Sequence, residues 1–330
     1  MRKTGMESRR LMGLGSALVD LLYHVPDEFI RTIRGGKGGT EPIDANELKE
    51  LLALMPGAGS RVQGGSTANT MVALAHLGMR GGFIGRIGLD ENGRFFRNEL
   101  DAAGVDTRCL KVDNELPTGC CLSLITPDSE RTMRTCLGAD STMGPDDVLA
   151  EECEGVTHLF VEGYSLRHRE MLLKAANLAS ASGVETHFDL GSPELVRENR
   201  DFLLDFLPRH IFAVYANERE AQEISGQADA AKALDFLAEL CELPIVKLGA
   251  HGVILKRRGE ALVAIPARKV RAVDTTAAGD LWAAGFLYGY LSGWPLERAA
   301  RLGAEVSAEV VQVVGSVLPE EAWQRLRAMR

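Results

Sequence analysis

The chain has 330 residues, 45% hydrophobic and 25% charged, enough for one large α/β domain or two smaller ones of ordinary globular composition. A net charge of −9 excludes a dedicated nucleic-acid binder, because no basic excess is present to neutralise phosphates. No stretch approaches the ~18 apolar residues of a membrane span, and six cysteines without a C-x-x-C pair read as buried thiols of a reducing, cytoplasmic setting.

Four basic residues (Arg2, Lys3, Arg9, Arg10) precede LMGLGSALV, but Asp20 interrupts the apolar run, so a buried first strand is expected rather than a signal peptide. LMGLGSALVDLLYHV reads as strand, glycine break and second strand, followed by a flexible GGKGGT connection at 35–40 and a helix over 45–54. After RVQGGST, the run ANTMVALAHLG is a helix capped by Ser66 or Thr67 and stopped at Gly78. GGFIGRIG is a strand and ENGRFFRNELDAAG a helix ending at Gly104; TGCCLSLIT (118–126) and 131–137 form a hairpin. From 155 the order is strand VTHLFVEG, helix 167–182, strand VETHFDL, helix 194–207, strand IFAVYAN, helices 218–225 and 228–241, and strand LPIVKLG. Such alternation predicts a mostly parallel sheet covered by helices. Two antiparallel strands, a long helix from about 279 and a final helical part complete an α/β core with a small β lid, drawn from about 20–45 and 105–137.

Five stretches are candidates for chemistry. GLGSAL (13–18) begins as G-x-G-x-x, then places Leu18 where a dinucleotide fingerprint has a small residue and continues as a strand, so it is a weak signal. GGKGGT lacks the phosphate-loop spacing and reads as a loop. In QGGSTAN, Gly64 and Gly65 let backbone approach a polar ligand and Asn69 points the same way, although a plain capped helix start is equally consistent. In DTTAAGD (274–280), small residues before a helix leave its first N–H groups uncovered, which makes an anion site, and Asp280 stands beside it. A carboxylate beside a bound phosphate makes sense if it takes a proton from an attacking hydroxyl; the plainer role is a helix-dipole partner. Asn217 and Glu220 in NERE fit a capping box, and at the carboxyl end of a parallel strand they also fit a hydrated Mg²⁺.

Together these stretches resemble the ribokinase-like (pfkB) carbohydrate and nucleoside kinase family over about residues 11–318, with residues 1–10 an N-terminal extension. The family's D-T-x-G-A-G-D signature with its G-F helix resembles Asp274 to Asp280 with Gly285-Phe286, its G-G…N matches Gly64, Gly65 and Asn69, and its N-x-x-E matches Asn217 and Glu220. Its nucleotide loop T-L-G-x-x-G is similar to Lys247 to Gly252, and its G-x-x-G-x-D-x-x-G to GRIGLDENG at 85–93.

The resemblance implies a ribokinase-like three-layer sandwich and ATP- and Mg²⁺-dependent transfer of the γ-phosphate to a primary hydroxyl of a sugar or nucleoside. On it, Asp280 is the base, and the N–H groups of Ala277, Ala278, Gly279 and Asp280 form the anion hole. Asp20, Gly64, Gly65 and Asn69 hold the acceptor, while Asn217, Lys247, Gly249 and Gly252 bind ATP and Asn217 with Glu220 carries Mg²⁺ through water. A monovalent-cation (K⁺) site near Asp274 and Gly315-Ser316 is implied for some members, and the assembly is a monomer or a homodimer. Adenosine-kinase-like members are the nearest subgroup: SERTMRTCLGA resembles their N-R-S-L segment, placing Arg131 on the ATP phosphates and leaving Arg134 a solvated lid residue. Three positions depart from the pattern: Ala277 for a glycine, Lys247 for a threonine, and Glu194 where adenosine kinases place an aromatic on the purine. Ala277 motivates the alternative of a nucleotide-binding sensor with weakened catalysis.

Overall fold

A computed structural model describes residues 10–57, 59–128 and 130–330; residues 1–9 of the expected extension lie outside the described residues. Fourteen strands are formed among them: β1 (Leu11–Leu14), β2 (Leu18–His24), β3 (Thr40–Pro42), β4 (Ser60–Gly64), β5 (Gly81–Gly88), β6 (Leu110–Asp113), β7 (Gly119–Ile125), β8 (Arg131–Cys136), β9 (His158–Glu162), β10 (Glu185–Asp189), β11 (Ala213–Asn217), β12 (Leu243–Lys247), β13 (Val253–Leu255) and β14 (Val263–Ile265).

Nine of them make the larger sheet in the order β14-β13-β12-β11-β10-β9-β1-β5-β6, parallel from β12 to β6, with β13 and β14 antiparallel. Its central strands β9 to β12 are buried along almost their whole length because helices cover both faces. On β11 the two-residue period separates the layers: Ala213 and Tyr215 join the core beneath helices Ala278–Leu291 and Leu296–Val310, whereas Val214 and Ala216 join the core beneath helices Arg169–Ala181, Arg200–His210 and Ala230–Leu240. The helix Ala278–Leu291 is buried from Leu281 to Gly289, and a Cβ on Gly285 would sit 2.8 Å from the Gly303 Cα, so glycine is needed for the two helix backbones to meet.

The smaller sheet runs β3-β8-β7-β2-β4 and packs Leu122 and Leu124 against Leu48, Leu51 and Leu52 of helix Ala45–Ala53. Two strands depart from the expected division. Strand β4 joins the smaller sheet beside β2, and β6, inside the segment assigned to the lid, pairs with β5 at the edge of the larger one. The expected helix 194–207 is interrupted at Asn199, whose side-chain amide donates to the Leu195 carbonyl at 2.8 Å and so competes with the backbone ladder. Arg134, expected in solvent, is buried: its guanidinium donates to the carbonyls of Arg34 and Met133, tying the 31–39 loop to β8. Cys109, Cys120, Cys121, Cys136 and Cys241 are free thiols, and no helix among the described residues is long and apolar enough to cross a membrane.

Candidate active site

Strands β9 to β12 end in Glu162, Asp189, Asn217 and Lys247, with Asp189 opposite Glu162 and Asn217 opposite Lys247 in the ladder. An apolar strand terminating in a polar residue delivers that side chain to the carboxyl edge of the sheet, where open α/β sheets bind ligands. A cavity of about 390 Å³ lies there, lined among others by Ser66, Asp189, Glu220, Lys247, Gly279 and Asp280. A roomier one of about 570 Å³, at the opposite edge beside Arg10, Arg80 and Arg108, contains none of the motif residues.

The segment 274–280 is held from both sides. Asp274 accepts from the N–H of Thr276 (2.9 Å), the N–H of Gly315 (2.7 Å) and the guanidinium of Arg131. Ala277 has φ +58°, the only non-glycine residue in the left-handed region among those described, and it caps the helix. The Ala278 N–H donates to the Thr275 carbonyl at 3.2 Å, which leaves Gly279 and Asp280 as the first-turn donors facing the cavity. The Asp280 carboxylate accepts from Ser66 Oγ (2.7 Å) and Asn69 Nδ2 (2.9 Å), and Thr70 Oγ1 donates to its backbone carbonyl (3.2 Å). Burial raises its pKa above the ordinary aspartate value and Asp189 adds to this, while the bonds from Ser66 and Asn69 and the charge of Lys247 oppose it.

Gly64 has no room for a side chain, because a Cβ would lie 2.4 Å from Asp20 Oδ1. Gly65 has φ +91° and would press a Cβ onto the Ser16 carbonyl at 2.3 Å; it, and not Ser66 or Thr67, is the helix cap, and the Ser66 hydroxyl is thereby turned to Asp280. Asp20 is pushed up to about 7, chiefly by burial, with Arg131 opposing and Asp280 reinforcing. Asn69, expected at the acceptor, bridges Asp280 and Gln63, whose Nε2 donates to Asn69 Oδ1 at 2.8 Å; Gln63 Oε1 is buried without a partner.

Asn217 and Glu220 form the full capping box: Asn217 Oδ1 accepts from the Glu220 N–H (2.9 Å), while the Asn217 N–H and Nδ2 donate to the Glu220 carboxylate (2.8 and 2.6 Å). Burial and neighbouring Asp189 push Glu220 up to about 7 against the pull of Lys247. Lys247 is buried, yet Asp189 and Glu220 outweigh that penalty and raise its pKa. Its ammonium donates to Asp189 Oδ2 at 2.8 Å and lies 3.1 Å from where a Cβ on Gly279 would stand, against the expected anion hole. Gly249 (φ +55°) and Gly252 (φ +102°) shape the following turn, and a Cβ on Gly252 would meet the Ile265 carbonyl at 2.0 Å. Arg131 stands apart from this group, ion-paired to Asp274. Neither glycine-rich stretch forms a phosphate loop: GLGSAL runs from β1 into β2 with no helix, and Lys37 of GGKGGT pairs with Asp27 and Asp128.

A family model described as "pfkB family carbohydrate kinase" matches residues 42–323. The chain belongs to the pfkB family. This pfkB protein is 31% identical over 262 residues to the 5-dehydro-2-deoxygluconokinase of Shouchella clausii, spanning 75% of this chain and 80% of that one. Among solved structures, an adenosine kinase from Sinorhizobium meliloti superimposes with a TM-score of 0.88 at 32% identity, covering 97% of this chain and 99% of that one. A "probable sugar kinase protein" from Rhizobium etli gives 0.89 at 30%, covering 97% and 98%. The pfkB chain is a sugar or nucleoside kinase with the ribokinase-like fold, and the sensor alternative is not favoured.

Residues not singled out from the sequence also shape this candidate site. Glu162 accepts from the N–H groups of Ser16 (2.9 Å) and Thr67 (2.8 Å), binding the Gly15-Ser16 turn to the entry of helix Ser66–His76. Asp189 holds Lys247, and Gln63 holds Asn69. Glu162 and Asp189 share one signal: an acid that closes a strand in a βα unit.

Proposed function

We propose that this kinase moves the γ-phosphoryl group of ATP to a primary hydroxyl of a sugar or nucleoside, with Asp280 as general base. The observation that carries the reading is the Asp280 carboxylate, aimed by Ser66 and Asn69 and set on the first helical turn within the cavity that holds the Lys247 ammonium. Its raised pKa brings it closer to the range in which a carboxylate both stays ionised and accepts a proton well. The acceptor oxygen loses its proton to Asp280 and forms a bond to the γ-phosphorus; the bond to the β–γ bridging oxygen breaks, and ADP leaves. The N–H groups of Gly279 and Asp280, with Ala277 presenting the turn, receive charge developing on the phosphoryl oxygens, and Lys247 adds a full positive charge beside them.

The acceptor lies against Asp20, Gly64 and Gly65. Support comes from Gln63 Oε1, a buried acceptor awaiting a donor such as a sugar hydroxyl. Asn217, Gly249 and Gly252 face the nucleotide, and Arg131 reaches its phosphates by exchanging Asp274 for them. Glu220 has two lone-pair sites engaged by Asn217 and others available, so with Asn217 it fits as an acceptor for waters of a hydrated Mg²⁺. Such an ion supplies charge neutralisation on the phosphates. K⁺ finds no comparable support at Asp274, whose oxygens already serve Arg131, Thr276 and Gly315. Glu194 is exposed on the first turn of helix Pro193–Glu198, which favours an acceptor that needs no stacked aromatic there. The reading is of one kinase domain over 11–318, working on a small molecule in the cytoplasm as monomer or homodimer.

The test is ADP release from Mg-ATP against a panel of ketose acids, hexoses, ribosides and adenosine, with the phosphorylated product identified by mass. Turnover with one primary alcohol is the expected result. Tight ATP binding with no acceptor phosphorylated would sink the proposal.

A further inference from the structure

At the amino ends of β9 and β10, away from the kinase site, His158, Glu185 and His187 place ligand atoms within 4.8 Å of one another. Strand geometry explains the convergence. Glu185 and His187 are two residues apart on β10 and share a face, and His158 lies opposite Glu185 in the parallel ladder. His158 Nδ1 is 3.3 Å from His187 Nε2 and 3.4 Å from Glu185 Oε2. A tetrahedral zinc ion with bonds of about 2.0–2.1 Å sets its ligands about 3.3–3.4 Å apart. A turn of the half-exposed Glu185 side chain closes the remaining pair.

Hydrogen bonding accounts for the cluster less well. His158 Nδ1 has one in-plane position, for a proton or a lone pair, so a hydrogen bond serves one of its two short contacts. The surroundings resemble the outer shell of a metal site: the second nitrogen of His187 is 3.0 Å from the Tyr215 hydroxyl, and Tyr290 donates to Glu185 at 3.0 Å. His187 is fully buried. Arg257 lies over the Tyr290 ring at 5.9 Å, on the outer side of the group. Glu185 provides the way in, since 39% of its side chain is exposed.

We propose that His158, His187 and Glu185 form a binding site for a zinc-class transition-metal ion, with a fourth position open to water. Nitrogen donors and a single carboxylate suit such an ion and disfavour Mg²⁺, which separates this site from the metal of the phosphoryl transfer. The ion joins the starts of β9 and β10 and, through Tyr290, the last turns of the helix whose first turn carries Asp280.

Equilibrium dialysis and calorimetry of the metal-free full chain with Zn²⁺, without nucleotide, are expected to give one ion per chain. Co²⁺ is expected to show the visible bands of tetrahedral coordination, and Tm to rise by about 4 °C at a hundredfold excess over Kd. His158→Asn and Glu185→Gln should each weaken Zn²⁺ at least a hundredfold, and Tyr215→Phe about tenfold. Glu185→Gln, at a half-exposed position, keeps the test decisive if the buried histidine variant does not fold. Binding at full affinity in Glu185→Gln would assign the ion to a thiol or to the Asp189–Glu220 group and overturn the proposal. So would the lack of any stoichiometric binding of Zn²⁺ to the wild-type chain.

Discussion

Strands β9 and β10 are each five residues long, about 13 Å between first and last Cα, and their two ends are built on opposite principles. At the carboxyl ends, Glu162 and Asp189 are buried acids, Asp189 being paired with the largely enclosed Lys247. At the amino ends, His158 and His187 are buried bases packed among Phe212, Tyr215 and Tyr290 rings, His187 being held neutral. The same ladder therefore gathers carboxylates and an ammonium at one end and imidazoles among aromatic rings at the other. Burying a charge is tolerated at the first end because partners of both signs converge there.

The comparison breaks most visibly at Asp280. Asp280→Asn keeps the side chain's shape but removes the proposed base and one of the two acceptor oxygens, and kcat should fall by about 10²–10⁴ with an unchanged circular dichroism spectrum. Near-full activity would reduce Asp280 to a dipole partner. Next in size is the contrast between Lys247 and Tyr215. Lys247→Met strands Asp189 and Glu220, and losing one member of a pair only 15% and 8% exposed should cost about 3–5 kcal/mol in a denaturant titration. Tyr215→Phe removes one neutral hydrogen bond to His187 and should cost about 1–3 kcal/mol. Equal losses would mean that the charged end is no more dependent on its partners than the neutral one.

The two ends also answer to pH with opposite sign. Asp20, Glu162 and Glu220 sit at about 7, above their unfolded values of 3.8, 4.5 and 4.5, so the folded state holds extra protons. Their contribution to stability is complete below the unfolded values and is lost as pH rises towards and through about 7. His187 lies well below 6.5, so the unfolded chain binds its proton first and stability is lost as pH falls below that value. Calorimetry of the nucleotide-free protein should therefore show a smaller fall in Tm between about pH 6 and about pH 8 for Glu162→Gln than for the wild type. An identical fall would mean that Glu162 is ionised in the fold at both pH values. The smallest effect belongs to Ala277→Gly. The left-handed conformation costs alanine about 1–2 kcal/mol, and glycine returns about 0.5–1 of that as unfolded-state entropy. A net gain of about 0.5 kcal/mol is expected, read from the denaturant midpoint; a loss would show that the alanine methyl is packed rather than strained.

Much of this was legible in the sequence, for reasons visible in particular residues. Most of the buried parallel strands announce themselves as apolar runs, although β10 reads ETHFD, and DTTAAGD, QGGSTAN and NERE lie at element ends where backbone groups go unpaired. The edge strands β3 and β4 did not stand out, because TEP and SRVQG are short and carry polar or charged residues with weak alternation. Ser66 looked like a cap because its type suits one, whereas the positive φ of Gly65 moves the cap back by one residue. Arg134 looked solvated because its partners are carbonyl oxygens, which no residue type reveals. Lys247 looked like a departure from the family pattern, and only the fold shows Asp189 next to it.

The close seating of Gly285 on Gly303 bears on how activity is lost. With backbone meeting backbone and most of its length enclosed, the helix that carries Asp280 on its first turn has no route to open by itself. Its interior amides, from Ala283 to Gly289, belong to the class that exchanges with solvent deuterium only when the whole domain unfolds. Asp280, the proposed base, thus sits on an enclosed helix, and heat inactivation is expected to coincide with global unfolding.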